Sequence, residues 1–354
     1  MTKAELDSIK ILPLEDSWYR RVKEKLDGIA KPLDGLGKFE HLIAQIGAIE
    51  KTTKISIQKK AVLVMCADNG VVEEQVSQSG KEVTLAVAKA MGVNNSSVGK
   101  MAAVAGVDVI PVDIGIDTDE VIPGVLPRKV AKGTKNFARE PAMTEEEVLK
   151  AIETGIQLVQ QCHRDGYEIL ATGEMGIGNT TTSTAVAAAL LDLEVEQVTG
   201  KGAGLTDEAL KRKCRVIEEA IEKYSLRDAD AFTILKTVGG LDIAGLTGVF
   251  IGAAIEQIPV VIDGVISAVA ALLAETLCKG AVNYMIPSHK SRELAETAIM
   301  KKLHLDPVLD ADMALGEGTG AVMMMSLLDV ALGVYLKGAS FANFEIEQYK
   351  RYEE

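Results

Sequence analysis

Residues 168–191 read Glu-Ile-Leu-Ala-Thr-Gly-Glu-Met-Gly-Ile-Gly-Asn-Thr-Thr-Thr-Ser-Thr-Ala-Val-Ala-Ala-Ala-Leu-Leu. The short apolar run Ile169–Ala171 is typical of a buried parallel strand, and the three glycines that follow permit a tight turn. Asn179 and the threonines after it offer side chains that can cap a helix, and the small apolar residues beyond them favour close packing on a sheet. The stretch therefore predicts a strand, a glycine turn and the start of a helix.

This geometry predicts an anion site. The backbone N–H groups of the turn and the positive end of the helix dipole converge on one point, which favours a phosphate. The turn also carries a carboxylate, Glu174, which a phosphate cradle does not need. We therefore expect Glu174 to face another part of a ligand, such as a sugar hydroxyl. The alternative is a tight turn in which Gly173, Gly176 and Gly178 serve packing only.

The rest of the chain predicts an α/β fold with a doubly wound parallel sheet, because helical patterns separate the strand candidates. Those further strands are expected at residues 61–67, 108–114, 258–262 and 282–286. Asp68 follows the first of them at the sheet edge where such folds bind ligands, and it could contact a ligand or cap the next turn. Residues 120–137, with their prolines and glycines, are expected to form an exposed segment with little regular structure.

The amino-acid composition and net charge limit the kinds of core, partner and location that this protein can have. The 354 residues are 47% hydrophobic but only 4% aromatic, which suits a large core of helices packed closely on a sheet. A net charge of −13 without a basic cluster argues against duplex nucleic acid as a partner. The four cysteines form no C-x-x-C pair and the N-terminus lacks an apolar signal core, so we expect a cytoplasmic protein. No stretch reads as a membrane span.

Glu317, within Leu315-Gly316-Glu317-Gly318-Thr319-Gly320, is the sharpest candidate catalytic residue. The glycines on either side of Glu317 make its backbone exposed and free to adopt many conformations. The apolar residues Met313 to Leu315 lie next to it and would make it a stronger base. The alternative is that Glu317 caps or salt-bridges a loop.

Several familiar sites are absent from the sequence. No G-x-x-x-x-G-K-[ST] loop occurs, and residues 173–178 do not fit G-x-G-x-x-G, so a dinucleotide is not favoured. No pair of histidines has metal-ligand spacing, and each is interpreted as a surface or packing residue: His41, His163, His289 and His304. We therefore expect neither a metal nor a cofactor.

Six motifs together carry a resemblance to a known family. In chain order they are Lys31-Pro32 to Leu36-Gly37, Ala67-Asp68-Asn69-Gly70, residues 173–181, Gly202-Ala203-Gly204-Leu205, residues 238–242 and residues 315–320. Each motif alone is weak, but their common order is specific. The chain resembles the nicotinate-nucleotide:dimethylbenzimidazole phosphoribosyltransferase family over nearly its whole length.

The resemblance implies a reaction and a fold. The family transfers phosphoribose from nicotinate mononucleotide to 5,6-dimethylbenzimidazole, giving nicotinate and α-ribazole 5′-phosphate, the lower nucleotide of cobalamin. The family's architecture implies a large Rossmann-like domain at residues 58–314 and a small helical domain formed by residues 1–57 and 315–354. It also implies a homodimer whose active sites lie near the subunit interface.

The resemblance also assigns residues to roles. Glu317 matches the general base that takes a proton from the attacking base. The substrate-contacting positions match the turn residues Glu174, Gly176, Gly178 and Asn179, the phosphate contacts Gly202, Gly204 and Lys213, the ribose or nicotinate contacts Asp242 and Ser291, and a further contact at Leu315.

The region expected to bind the acceptor departs from the family pattern. The family has a proline before its Glu-Val-Thr and a later Gly-Gly-Ala-Ala, whereas residues 79–84 read Ser-Gly-Lys-Glu-Val-Thr and residues 92–97 read Gly-Val-Asn-Asn-Ser-Ser. A purine or phenolic acceptor is therefore an alternative. Phenol-using members work as heteromers, so this chain could be one subunit of a heteromer. A non-catalytic nucleotide-binding subunit is a more distant alternative, against which the intact Glu317 argues.

Overall fold

The computed structural model describes residues 1–200, 202 and 204–351. At its centre lies a six-stranded parallel sheet in the order β3-β2-β1-β4-β5-β6. The strands are Lys60–Ala67 (β1), Val107–Gly115 (β2), Leu126–Pro127 (β3), Ile169–Met175 (β4), Val260–Ile262 (β5) and Met285–Pro287 (β6). The order reverses between β1 and β4, as in doubly wound nucleotide-binding sheets. The predicted fold class is confirmed.

Helices cover both faces of this sheet. In the described part of the chain they are Lys3–Asp7 (α1), Asp16–Asp27 (α2), Lys38–Ile49 (α3), Glu82–Gly92 (α4), Ser97–Ala105 (α5), Glu145–Arg164 (α6), Asn179–Leu191 (α7), Val195–Val198 (α8), Asp207–Lys223 (α9), Ala231–Val238 (α10), Leu241–Glu256 (α11), Val265–Leu277 (α12), Leu294–Leu303 (α13) and Thr319–Lys337 (α14). Helices separate the strands along the chain, as the sequence predicts.

Strand β1 shows how the sheet separates two cores. All eight of its residues are buried, as expected for a central parallel strand with helices on both faces. Leu63 and Met65 join one core with α6, α7, α11 and α12. Val62 and Val64, which point to the other face, join a second core with α2, α3, α5 and α14. The two faces of the sheet are therefore buried by different sets of helices.

Helix α6 begins with a capping box, since the Thr144 hydroxyl accepts the Glu147 N–H and the Glu147 carboxylate accepts the Thr144 N–H. The close packing of α6 on α11 requires small residues. A Cβ on Gly155 would overlap the carbonyl oxygen of Gly245, and one on Gly248 would overlap that of Ile152. These glycines let the two helix backbones touch.

Three local predictions are wrong in part. Residues 281–284 form a short 3₁₀ turn rather than strand, because the Glu275 carboxylate accepts the N–H groups of Gly280 and Val282 and coils the chain there. Residues 120–137 are not wholly exposed, since β3 pairs with β2 and Phe137 is buried. Helix α7 begins without a side-chain cap, and Gly178 occupies the cap position.

Helices α2 and α14, near the two ends of the chain, pack on the sheet face opposite α6. Leu26 of α2 and Met324 of α14 belong to the same core as Val62 of β1. The division into a large domain and a small helical domain stays a prediction. Among the described helices, α14 alone has the length and apolarity needed to cross a membrane, and 56% of its most apolar window is buried. A core helix meets the same criterion, so this feature is weak evidence for a span.

Candidate active site

A cavity of about 220 Å³ opens at the carboxyl ends of β4, β5 and β6. Seven of the sequence-predicted residues line it: Glu174, Gly176, Gly178, Asn179, Gly202, Ser291 and Leu315. The other four, Gly204, Lys213, Asp242 and Glu317, lie behind this lining or beside it. This is the sheet edge at which doubly wound folds bind ligands.

The turn after β4 needs its glycines for close approach. A Cβ on Gly176 would lie 2.5 Å from the carbonyl oxygen of Ala67, which is too close for any side chain. Gly178 adopts a φ of 93°, a conformation that favours glycine. The turn thereby brings the start of α7 against the end of β1 and leaves Glu174 and Asn179 facing the cavity.

Three buried polar side chains are linked beneath the cavity. The Asn179 amide donates to Glu174, and it also donates to Asp242 Oδ2 at 3.0 Å. Burial raises the pKa of Glu174 to about 8, and the hydrogen bond from Asn179 partly opposes that effect. Burial also raises the pKa of Asp242 to about 6. Asp242 itself is fully buried and acts on the cavity through Asn179.

Lys213 on α9 supports the other end of the cavity. Its side chain is completely buried, and its ammonium donates to Thr180 Oγ1 at 3.0 Å and to the Gly200 carbonyl oxygen at 3.2 Å. Both acceptors are neutral, and no ion pair within 4 Å joins Lys213 to a described residue. Burial lowers the pKa of Lys213, and the nearby Glu293 carboxylate opposes that effect. The Gly204 carbonyl oxygen accepts a hydrogen bond from the Gln78 amide.

Glu317 sits on a loop of left-handed residues before α14. Gly316, Glu317 and Gly318 have φ values of 80°, 61° and 90°. The Asp263 carboxylate holds the end of this loop by accepting the N–H groups of Gly318 at 3.2 Å and Gly320 at 2.8 Å. A non-glycine residue in this conformation is uncommon and marks strain that the surroundings must stabilise.

The surroundings of Glu317 differ from the apolar pocket that its neighbours in sequence suggest. Leu315 is 53% exposed, so it does not shield the carboxylate in this chain. Instead, Glu317 Oε2 accepts the Val98 N–H at 3.0 Å, in the first turn of α5. The loop-capping alternative is therefore part of its role, and this hydrogen bond fixes the direction of the carboxylate.

The chain is similar to known proteins over nearly its whole length. The profile of a family described as phosphoribosyltransferase matches residues 11–346. A nicotinate-nucleotide–dimethylbenzimidazole phosphoribosyltransferase of Acetivibrio thermocellus is 44% identical over 93% of this chain and 94% of its own length. One of the same name from Clostridium acetobutylicum is 43% identical over 95% of this chain and 96% of its own. The chain belongs to this phosphoribosyltransferase family.

A solved structure agrees with the sequence matches. The crystal structure of CobT from Thermus thermophilus has a TM-score of 0.89 and 33% sequence identity, covering 94% of this chain and 100% of that one. Little of either chain lies outside this match.

Three residues of this phosphoribosyltransferase site were not among the sequence candidates. Asp263 accepts N–H groups of the loop that carries Glu317. His289 lines the cavity, and its Nδ1 is hydrogen-bonded to Ser288 Oγ at 2.9 Å. The Glu293 carboxylate accepts the Gly202 N–H. The one usable signal was position, since Asp263 directly follows β5 and His289 closely follows β6. Asp68, also at a strand end, accepts the Asp117 N–H at 2.8 Å and does not line the cavity.

An acidic cluster elsewhere in this phosphoribosyltransferase resembles a metal site. Oxygens of Asp27, Asp34 and Glu40 lie within 4.8 Å of one another. Cations already neutralise them, since Lys31 bonds to Glu40 and Arg351 bonds to both aspartates. None of the three acids lines the cavity.

Proposed function

We propose that this chain transfers the phosphoribosyl group of nicotinate mononucleotide to 5,6-dimethylbenzimidazole or a related base, giving α-ribazole 5′-phosphate and nicotinate. The named activity of relatives that match nearly the whole chain supports this reaction. The single observation that carries it structurally is the cavity with a buried ammonium behind one end and Glu174 and the Glu317 loop at the other.

Lys213 and the turn at Gly202 would hold the phosphate. A buried cation with neutral partners is costly, and a phosphate oxygen would supply the missing negative charge. Gly202 lines the cavity at this end, and its backbone N–H would bond to a phosphate oxygen, with Gly204 two residues beyond it. Ser291, which also lines the cavity, stays assigned to the ribose or nicotinate. This arrangement supports our assignment of the phosphate contacts.

Glu317 would act as the general base. Its carboxylate would take the proton from an azole nitrogen of the acceptor as that nitrogen attacks the anomeric carbon. The nicotinate leaving group is a cationic pyridinium before it departs, so neither an acid nor a metal is needed to expel it. Attack from the opposite face inverts the anomeric centre from β to α.

Glu174, Asn179 and Asp242 would position the ribose of the donor. Glu174 and Asn179 line the cavity, and Asp242 fixes the Asn179 amide from below. A Glu174 carboxyl whose pKa burial raises to about 8 can hold a proton near neutral pH. In that state it can both donate a hydrogen bond to a ribose hydroxyl and accept one from it.

The acceptor pocket is the part of the site where this chain departs from the family pattern. Val76, Ser77 and Gln78 line the cavity directly before the altered stretch at residues 79–84. Thr84 in turn accepts the Ile177 N–H at 3.1 Å, which ties that stretch to the glycine turn. A purine or phenolic acceptor is therefore the second candidate, with a heteromeric partner as its corollary.

An apolar surface beside the site supports a homodimer. On α14, Met323 is 37% exposed and Val330 is 73% exposed, and on the neighbouring α5 Val104 is 92% exposed. Exposed apolar side chains on adjacent helices are typical of subunit interfaces. We expect light scattering to give twice the chain mass, and Val330→Asp to reduce it to one. A cytoplasmic location remains part of the proposal.

A competition assay tests the reaction. Purified protein would receive nicotinate mononucleotide together with dimethylbenzimidazole, adenine and phenol, without added metal, and mass spectrometry would resolve the products. Free nicotinate and an α-ribosylated dimethylbenzimidazole would support the proposal. A product formed mainly from adenine or phenol would mean that this compound, and not dimethylbenzimidazole, is the acceptor. No product from any acceptor, with the donor still bound, would favour a non-catalytic nucleotide-binding subunit.

A further inference from the structure

The carboxylate of Glu293 lies where an anion is expected. Glu293 Oε1 accepts the Gly202 N–H at 3.2 Å, and both residues line the cavity. The same carboxylate lies against Gly200, where a Cβ would be 2.9 Å from Oε1 and would overlap Oε2. Gly200 is also the residue whose carbonyl oxygen accepts a hydrogen bond from Lys213. A protein carboxylate thus contacts the turn at Gly202 and lies near the Lys213 cation, both of which we assign to a phosphate.

The local structure directs this side chain across the cavity. Glu293 occupies the N-cap position of α13, yet its carboxylate makes no capping hydrogen bond with that helix. Its backbone is anchored, because its N–H donates to Ser291 Oγ at 3.1 Å and the Ser291 N–H donates to Glu296. A carboxylate at an N-cap ordinarily gains stability from the free N–H groups of the first turn. Here that interaction is replaced by a contact with the opposite wall.

We propose that Glu293 is an internal competitor of the donor's phosphate. Its carboxylate occupies the cradle at Gly202, near Lys213, in the empty site. It leaves the cradle when a phosphate monoester binds. This inference rests on the proposed function, since it takes that cradle as the phosphate site. Two anions cannot share the cradle without strong repulsion at low dielectric. The carboxylate therefore has to move for the phosphate to enter.

Such a competitor serves the empty enzyme. It places a negative charge near a buried ammonium that otherwise faces only neutral acceptors, and so it reduces the cost of that burial. A phosphate dianion carries more charge and more acceptor oxygens than a carboxylate, so it can displace Glu293, whereas a nucleoside without a phosphate cannot. The device selects phosphorylated donors.

Removing the competitor raises the affinity for phosphate. If the carboxylate fills the cradle about nine-tenths of the time, it weakens the apparent binding of any phosphate about tenfold. Glu293→Gln keeps the size of the side chain and removes its charge. Glu293→Asp keeps the charge and shortens the reach by one methylene. Asp310→Asn is the matched control, because it removes one negative charge from an exposed pair with Lys290.

Isothermal titration of inorganic phosphate into the four proteins tests the inference. We expect Kd to fall roughly three- to tenfold in Glu293→Gln and Glu293→Asp, and to stay at the wild-type value in Asp310→Asn. Unchanged or weaker phosphate binding in the Glu293 variants overturns the inference. Where Glu293→Gln does not fold, Glu293→Asp decides. A phosphate-bound wild-type structure in which Glu293 still accepts the Gly202 N–H also overturns it.

A parallel titration with nicotinate mononucleotide separates this inference from the proposed function. Weaker nucleotide binding with unchanged phosphate binding in the variants would place Glu293 on the ribose and overturn the competitor role, while the reaction stands. Tighter phosphate binding in the variants, with no turnover of the nucleotide by the wild type, would support the competitor and overturn the reaction.

Discussion

At one end of the cavity, the glycine turn at Gly202 and the buried ammonium of Lys213 offer hydrogen-bond donors and positive charge. At the other end, Glu174 and Asp263 line the wall with carboxylates, and Glu317 follows on the adjoining loop. Nicotinate mononucleotide is also unlike at its two ends, with a dianionic phosphate at one and, at the other, a pyridinium cation that bears a carboxylate. Two unlike ends of a single cavity can therefore orient the donor without a metal.

The two ends are also built differently. The cationic end depends on one buried ammonium and on backbone groups, and the Glu293 carboxylate lies beside them in the empty site. The acidic end places several carboxyl groups close together, and burial raises the pKa of Glu174 to about 8 and that of Asp242 to about 6. A cation that binds there favours the ionised carboxylates. We therefore expect the acidic end, and not the phosphate end, to make the enzyme sensitive to pH.

The largest effect is expected at the acidic end, from Glu317→Gln. The amide keeps the shape of the side chain and can still accept the Val98 N–H, but it cannot take a proton from the acceptor base. Turnover should fall by about 10²–10⁴, with binding of nicotinate mononucleotide largely kept. Steady-state kinetics and a donor titration measure the two quantities separately. Unchanged turnover would remove Glu317 from the role of base.

The next largest effect is expected at the cationic end, from Lys213→Met. Loss of the ammonium should raise KM for nicotinate mononucleotide by about 10–100-fold, because a charge-assisted contact with the phosphate is lost. Stability should stay equal or rise, since an apolar chain of similar length replaces a buried cation with neutral acceptors. Thermal unfolding checks that sign. A large loss of stability with an unchanged KM would make Lys213 a structural residue only.

A smaller effect is expected from Asp263→Asn, which tests how the acidic end is held. The carboxylate accepts N–H groups from Gly318, Gly320 and Ala321, so it both caps α14 and places the Glu317 loop. The amide retains one acceptor oxygen, and we expect a loss of about 1–3 kcal/mol in unfolding free energy. Turnover should fall about tenfold while the donor KM changes less, since the base is misplaced. Equal losses in both parameters would indicate that Asp263 binds the donor directly.

How far the sequence predicts this site depends on how local each contact is. The strand, turn and helix at residues 169–191 follow from glycine positions and apolar runs, and the structure confirms them. The bond between Asp263 and Gly318 joins residues 55 positions apart, and that between Glu293 and Gly202 joins residues 91 apart. Neither pairing leaves a periodic or spacing signal, so only the folded chain reveals it.

A side chain that can serve two structural roles is also hard to assign from the sequence. Asn179 has the side chain of a helix cap, but its amide donates to Glu174 and Asp242, and Gly178 takes the cap position. Local propensity favours the cap, whereas burial of two carboxyl groups beside the amide favours the bond across the site. The tertiary interaction prevails because an unpartnered buried carboxylate costs more free energy than an uncapped helix start.

The smallest effect, and the one that most sharpens the contrast between the two ends, is the pH dependence of Glu174→Gln. Burial raises the pKa of Glu174 from 4.5 to about 8 in the folded chain, so the native state binds more protons than the unfolded state between those values. Its contribution to stability is complete below about pH 4.5 and is lost as the pH rises through 8. Glutamine does not titrate, so the stability of Glu174→Gln relative to the wild type should rise as the pH rises from 5 to 8. Thermal unfolding from pH 5 to pH 8 measures the difference, with Lys213→Met as the control from the cationic end. A stability difference between Glu174→Gln and the wild type that is the same at every pH would mean that Glu174 is ionised throughout. The acidic end of the cavity would then carry a fixed charge and would not make the enzyme sensitive to pH.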